Sequence, residues 1–286
     1  MGNDRPRAKT GQAGGASRAA WVLPVIIILF IIGAALGFYF WTTSDPAYRF
    51  NKHLEKGLAA LRASRVVSPE GTSIDPIPQA AAHQEFLLAL EDGERAFGPT
   101  DGRLEEVYIV LVNFAVQDED WKPAKEYGER LLSIQQKKYG QTHEYLVKTY
   151  EYLAKAYRGL KDEKGEEQAL TQIVAINPDI WTKYNLAAFY LERKNAKMAY
   201  PHMRDVITEN LQYVEEKRKA ARPDEYQQGL QIALVNLKEY LRLLAVLGKK
   251  DEFVEFQAKH NTLVGDLNKL IKQQPKPTIP VLPPAK

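Results

Sequence analysis

Five histidines, His53, His83, His143, His202 and His260, are the side chains best suited to metal ligation or proton transfer. They fall in separate segments, and no HxxxH or HExxH places two of them on one helix face over a zinc ion. Glycine loops of the GxGxxG or GxxxxGK[ST] type and the GxSxG elbow are missing. There is no cysteine, which excludes disulfides, thiolate metal sites and a cysteine nucleophile. Carboxylates run together at Asp118-Glu119-Asp120 and Glu166-Glu167, in a turn and on a polar helix face. The sequence therefore predicts no catalytic, cofactor or metal site, and a binding protein instead of an enzyme. Its most suggestive polar set is cationic. Lys148, Lys155 and Arg158 stand at helical spacings of seven and three, so they share a face suited to gripping a partner's carboxylate. The same face also reads as a solvated surface that Glu151 neutralises.

The 286 residues carry 39 Lys and Arg against 36 Asp and Glu, a formal net charge of +3. Arg5, Arg7, Lys9 and Arg18 against Asp4 account for all of it, which leaves the remainder neutral. A nucleic-acid partner would need a clustered basic surface, and none is written here.

Trp21 to Trp41 reads WVLPVIIILFIIGAALGFYFW, without a charged residue. At ~1.5 Å per residue it makes roughly 31 Å of helix, about the thickness of a bilayer's hydrocarbon core. Aromatic residues close both ends, as at membrane interfaces. The expectation is an uncleaved single transmembrane helix over 21–41. A basic flexible tail, 1–20, precedes it in the cytoplasm of a bacterial cell, with the large domain outside the inner membrane. Gly33-x-x-x-Gly37 fits the spacing through which two membrane helices self-associate.

Ser44-Asp45-Pro46 offers an N-cap and a first-turn proline, and apolar residues then recur at helical spacing to about Val66. Three prolines and a glycine make 68–78 a loop, so 44–78 reads as a juxtamembrane helix and loop. From Gln79 the helical period returns. Glu94–Ala115 and Gln136–Tyr157 then repeat one another at an offset of 42 residues. Phe97 matches Tyr139, Gly98 matches Gly140, Leu104 matches Leu146, and Tyr108 matches Tyr150. Each unit is a helix, a polar turn and a second helix, with the turns at 118–120 and near 161–164. A third pair follows Asn177-Pro178, and 208–222 reads as a solvated extension. A fourth pair runs from Asp224 to about Lys272. No segment alternates with a strand's period of two. The tail 273–286, QQPKPTIPVLPPAK, holds five prolines and reads as an extended segment whose PxxP spacing suits polyproline II recognition.

KYNLAAFYLERKNAKMA, Lys183 to Ala199, resembles the tetratricopeptide (TPR) repeat through Tyr184, Leu186, Ala187, Tyr190 and Ala199. The units of period 42, with Phe97-Gly98-Pro99-Thr100-Asp101 and Tyr139-Gly140-Gln141-Thr142-His143 at their boundaries, are similar to the longer variant in kinesin light chains. Val112 and Leu241 depart from the pattern, standing where a small residue is usual. The resemblance implies an all-α, TPR-like solenoid of helical hairpins over 79–272 behind the transmembrane helix. It also implies a concave groove lined by the first helix of each pair. By match to the family, that groove includes Asn113, Lys148, Lys155, Arg158, Trp181, Tyr184, Leu191, Lys238 and Arg242. Trp181 and Tyr184 read equally as core residues or as anchors for a peptide. The expected function is a membrane-anchored scaffold, adaptor or chaperone-like factor that binds a protein partner. Alternatives are a structural subunit of a secretion or motility complex, or a cytosol-facing organelle receptor.

Overall fold

A computed structural model describes residues 22–68 and 71–273. The basic tail 1–20, Trp21 and the proline-rich segment 274–286 lie outside the described residues. The chain divides into two compact units, Met1–Gly98 and Pro99–Lys286.

In the first unit, α1 (Val22–Ser44) leads into α2 (Pro46–Ala63). A two-stranded pair of β1 (Arg65–Ser68) and β2 (Gly71–Ile74) follows, then α3 (Pro76–Phe97). Helices α2 and α3 start alike, each on an Asp-Pro. The Asp45 carboxylate accepts from the Ala47 amide and that of Asp75 from the Ile77 amide, both at 3.0 Å. The prolines stand where their missing N–H is no loss. Phe50 and Phe86 are buried between α2 and α3, and Phe50 meets Phe97 edge-on at 5.4 Å. Arg49 forks onto Asp92, with Nε at 3.0 Å and an Nη at 2.7 Å from the same oxygen. His53 Nδ1 lies 2.5 Å from Glu85. Burial pushes the Glu85 carboxyl up, but His53 and Lys56 together outweigh it and hold it below its ordinary value.

The hairpin replaces part of the loop expected over 68–78 and lies outside 79–272, where the expected all-helical array stands. Arg65 pairs with Ile74 and Ser68 with Gly71 in antiparallel register. Val66 and Val67 are stiff at χ1 and favour extended backbone, so α2 stops at Ala63 instead of running on to Val66. The Ser64 hydroxyl donates to the Leu61 carbonyl, and the Ser64 carbonyl accepts from the Asp75 amide at 2.7 Å. That second bond closes the base of the hairpin and starts α3 on Pro76. Four residues per strand are too few to print a period of two.

The transmembrane helix over 21–41, and the inner-membrane localisation built on it, are overturned. Among the described residues, no helix is long and apolar enough to cross a membrane. The side chains of 27–40 in α1 are all exposed. Self-association through Gly33 and Gly37 depended on that span and falls with it. A Cβ built at either glycine meets nothing within 4 Å.

The second unit opens with a 3-10 turn at Gly102–Leu104 and continues as four helix pairs. These are α4 (Glu105–Gln117) with α5 (Trp121–Tyr139), α6 (Tyr145–Gly159) with α7 (Glu163–Ile176), α8 (Ile180–Glu192) with α9 (Ala196–Lys219), and α10 (Pro223–Val246) with α11 (Lys250–Gln273). One turn geometry joins the helices within every pair. Its pivot is a residue in the left-handed region: Glu119 at φ 56°, Lys161 at 59°, Lys194 at 57° and Gly248 at 67°. The next amide reaches back five residues to a carbonyl of the first helix. These bonds are Asp120 to Ala115, Asp162 to Tyr157 and Asn195 to Tyr190 at 2.8 Å, and Lys249 to Leu244 at 3.0 Å. This is the Schellman closure, and it satisfies carbonyls that the helix end leaves open. Four copies of it lie within the pairs, and a further one, with Ala221 at φ 53° and the Arg222 amide on the Lys217 carbonyl at 3.3 Å, joins α9 to α10.

Between the pairs, Leu146, Leu153, Leu186, Phe189, Met203, Ile207, Leu237, Tyr240 and Leu244 form a continuous buried core. Burying such a side chain is worth about 1.5–3 kcal/mol. One charge is buried with them. Glu166 is 1 % exposed and accepts from Arg158 Nε at 2.6 Å and from an Arg193 Nη at 2.8 Å. Arg193 also lies over the Phe189 ring, 3.8 Å from its centroid, and donates to the Phe189 carbonyl. The carboxylate thereby ties α7 to both α6 and the end of α8.

Candidate interaction cleft

Asp179 sets the first wall. Its carboxylate caps α8 through the Thr182 amide at 2.8 Å and holds the Asn177 side chain at 3.0 Å, while the Thr182 hydroxyl donates to the Asn177 carbonyl. This start leaves Trp181, one residue into the helix, pointing away from the core and 69 % exposed. Tyr184 follows at i+3 on the same side, half-buried. Helix α9 forms the floor. It runs 24 residues, against 14 for α7, and carries Glu209, Asn210 and Tyr213 alongside α8 and α10. The far wall is the first half of α10, with Gln231, Ile232, Val235 and Asn236. Together these residues line a cleft of about 900 Å³.

Two details distinguish the cleft. Val235 is 63 % exposed, and Ile232 and Tyr213 are exposed as well, so apolar surface faces solvent from two walls and the floor. At the floor, Asn210 is only 6 % exposed, and its Nδ2 amide has no hydrogen-bond partner. A buried donor left unpaired costs about 1–3 kcal/mol, which an acceptor entering the cleft would recover. Gly229 seats the Tyr213 ring, because a Cβ there would lie 3.0 Å from Cε1 and 3.1 Å from Cδ1. The charged lining is acidic, Asp179 and Glu209, with Lys183 paired to Glu209.

Two smaller clefts, each of roughly 420–430 Å³, flank it in sequence. One lies among α4, α5 and α6 and includes Ile109, Glu105 and Lys148. Glu105 is already held by Lys138 at 2.7 Å and Tyr139 at 3.2 Å. The other lies between α10 and α11 and includes Lys238, Arg242, Ala245 and His260, whose buried Nδ1 has no partner.

The sequence-predicted groove residues divide among these places. Trp181 and Tyr184 come together in the large cleft. Lys238 and Arg242 share the α10–α11 cleft, exposed, with Arg242 paired to Glu239 at 2.5 Å. Lys148 lines the α4–α6 cleft but bonds Glu151 at 2.8 Å, which raises its pKa, and lies over Tyr152. Asn113 accepts from the Tyr152 hydroxyl at 3.4 Å. Arg158 is turned onto Glu166 and away from Lys148, and Lys155 is exposed beside it. Leu191 packs half-buried against the core. The histidines stay apart: His53 pairs with Glu85, His143 lies against Tyr139 and Tyr145, and His202 stacks on Tyr190 at 6.1 Å. Burial lowers the His202 pKa, with Lys183 adding to it and Asp205 opposing. Tyr190 is pushed up to about 12 by burial and by its bond to Glu167.

Sequence reasoning missed the floor. Residues 208–222 read as solvated because charge dominates their composition, yet Asn210 and Val214 are buried. The signal was present: Met203, Val206 or Ile207, Asn210 and Val214 continue one stripe at helical spacing.

Solved structures with similar helix arrangements carry TPR-like repeats. One, the nearly identical TPR-like repeats of a Podosopora anserina kinesin light chain, is 16 % identical, with a TM-score of 0.49 over 77 % of this chain and 96 % of that one. A point variant of the same protein gives 15 % identity and a TM-score of 0.47 over 75 % and 95 %. No family model and no curated relative matches the sequence. The repeat in this chain therefore stands on its own geometry, the four closures and the core between pairs.

Proposed function

We propose that the second unit is a protein-interaction scaffold and that the cleft of α8, α9 and α10 receives an extended segment of a partner protein. The observation that carries this reading is the pairing of exposed Trp181 and Val235 with the unpartnered Asn210 amide beneath them. An apolar side chain of the segment would pack on Trp181, Tyr213 and Val235, while a backbone carbonyl would accept from Asn210. Extended chains present this alternation of side chain and carbonyl. Exposed aromatic anchors beside a polar group that fixes orientation are what peptide recognition uses. Along α10 the surface continues through Lys238 and Arg242, at spacings that keep them on the Gln231–Val235 face. These cations would receive an acidic residue of a longer ligand.

The test is selection of displayed random peptides on the full chain, followed by affinity measurement. Selected peptides are expected to lose tenfold or more in affinity to Trp181→Ala and to Val235→Glu, both on exposed positions that leave folding intact. Peptides that bind both variants as tightly as the parent would refute the assignment.

A further inference from the structure

The cleft has a candidate occupant in the chain itself. Residues 274–286, QPKPTIPVLPPAK, lie outside the described structure, and α11 ends at Gln273 immediately before them. Where that helix ends bears directly on the cleft. The Tyr226 hydroxyl, near the start of α10, donates to Asp266 on α11 at 3.3 Å. Leu267 and Leu270 pack against the same core. The last turns of α11 therefore lie beside the first turns of α10, the half of α10 that forms the cleft wall. From Asp266 to the helix end is roughly 10 Å of rise, and from Tyr226 to Ile232 roughly 9 Å. A thirteen-residue segment at ~3.1 Å per residue extends about 40 Å, enough to round one helix of ~10 Å diameter and lie along the cleft.

Resting on the cleft assignment above, we infer that the C-terminal segment 274–286 occupies the α8–α9–α10 cleft of its own chain and must leave before a partner segment binds. Its chemistry matches the lining at four points. Prolines set φ near −65°, so an ordered extended form loses little entropy, and aromatic-lined grooves are the usual receptors for such segments. Ile279, Val281 and Leu282 supply apolar side chains for Trp181, Tyr213 and Val235. Proline has a carbonyl but no N–H, so a proline-rich segment brings acceptors to the Asn210 amide without adding buried donors of its own. Lys276 and Lys286 are the side-chain charges of the segment, and they face a lining whose charges are Asp179 and Glu209.

The test uses the full chain, the chain ending at Gln273, and a fluorescent synthetic peptide of sequence 274–286, read by anisotropy. The shortened chain is expected to bind the peptide. Trp181→Ala and, as a second site, Val235→Glu are each expected to weaken that binding tenfold or more. The full chain should bind it about tenfold more weakly than the shortened one, because a short tether holds the internal segment at roughly millimolar effective concentration against an affinity near 100 µM. Three results would overturn the inference: no binding of this peptide, equal binding to full and shortened chains, or indifference to both substitutions. Displayed peptides separate this from the broader assignment. If they bind in a Trp181-dependent way while 274–286 does not, the self-occupancy fails and the cleft stands; if neither binds, both fail. A tenfold difference that appears only as chain concentration rises would mean occupancy by a second copy and would also overturn it.

Discussion

Replacing Glu166 by alanine should be among the most damaging single changes in the second unit. The carboxylate is 1 % exposed and receives two charge-assisted hydrogen bonds, at 2.6 Å from Arg158 and 2.8 Å from Arg193. The arginines differ in what they lose. Arg158 is 56 % exposed and returns to water, so its share is about 0.5 kcal/mol after screening. Arg193 is 25 % exposed and stays against Phe189, so its loss is about 1.5–3 kcal/mol. The one methylene that alanine lacks, Cγ, adds roughly 0.8 kcal/mol, offset in part because no charge then has to be held out of water. The net is about 3 kcal/mol, a fall in Tm of about 6–12 °C for a domain of this size. Circular dichroism melts and urea titrations of Glu166→Ala, Arg158→Ala and Arg193→Ala measure it. Arg193→Ala should cost clearly more than Arg158→Ala, because it leaves the buried carboxylate with only its exposed partner. Glu166→Leu combined with Arg193→Met removes the buried carboxylate together with its partly buried partner and should return to within about 1 kcal/mol of the parent. A loss below about 1 kcal/mol for Glu166→Ala, or equal losses for the two arginines, would refute this reasoning.

Backbone and pH give three more checks. Gly248→Ala puts a Cβ at φ 67° and should destabilise by about 1 kcal/mol, whereas Ala221→Gly relieves the same conformation at φ 53° and should be neutral or stabilising by urea titration; the opposite order would be inconsistent with the closures described. Gly229→Val drives side-chain carbon into the Tyr213 ring and should cost about 1–3 kcal/mol in the same assay; a stabilised variant would mean that the ring is not seated on this glycine. Asp101 donates no proton of its own but accepts from the Arg103 side chain and amide, which hold its pKa at about 2, below the ordinary 3.8. A depressed folded pKa gives stability that is present above about pH 4 and lost as the pH falls toward 2. The stability difference between the parent and Asp101→Asn should shrink across that window, and a difference constant from pH 5 to pH 2 would contradict it.

What the sequence disclosed was the repeat, and the reason is that its spacing is carried by buried residues. Leu104, Leu111, Leu146 and Leu153 are all core, and pattern matching reads core positions well. Turns at 118–120 and near 161–164 were legible from their polarity and fall where the closures lie. The hairpin was not, since Arg65–Ser68 and Gly71–Ile74 are shorter than any period they could display. The helix over 21–41 was legible, since α1 covers nearly all of that run, but the membrane span read into it was not: among the described residues no helix is long and apolar enough to cross a membrane. Half of the cleft was legible. Trp181 and Tyr184 lie on a first helix, where the repeat directs attention, whereas Asn210 and Tyr213 lie on a second helix in a stretch whose lysines and glutamates hid its buried stripe. Arg158 shows the converse limit. Its spacing from Lys148 and Lys155 was sound, but the buried Glu166 that captures it belongs to another helix.

Helix α9 has a consequence of its own. Beyond Val214 its last turn and a half bear no residue of the cleft lining, yet they carry the chain to where α10 begins, anchored there by Lys217 on Glu225 at 2.7 Å. That ion pair fastens the end of α9 to the start of α10 at a point outside the lining, so the junction of the two helices is held by charges that take no part in what the cleft displays.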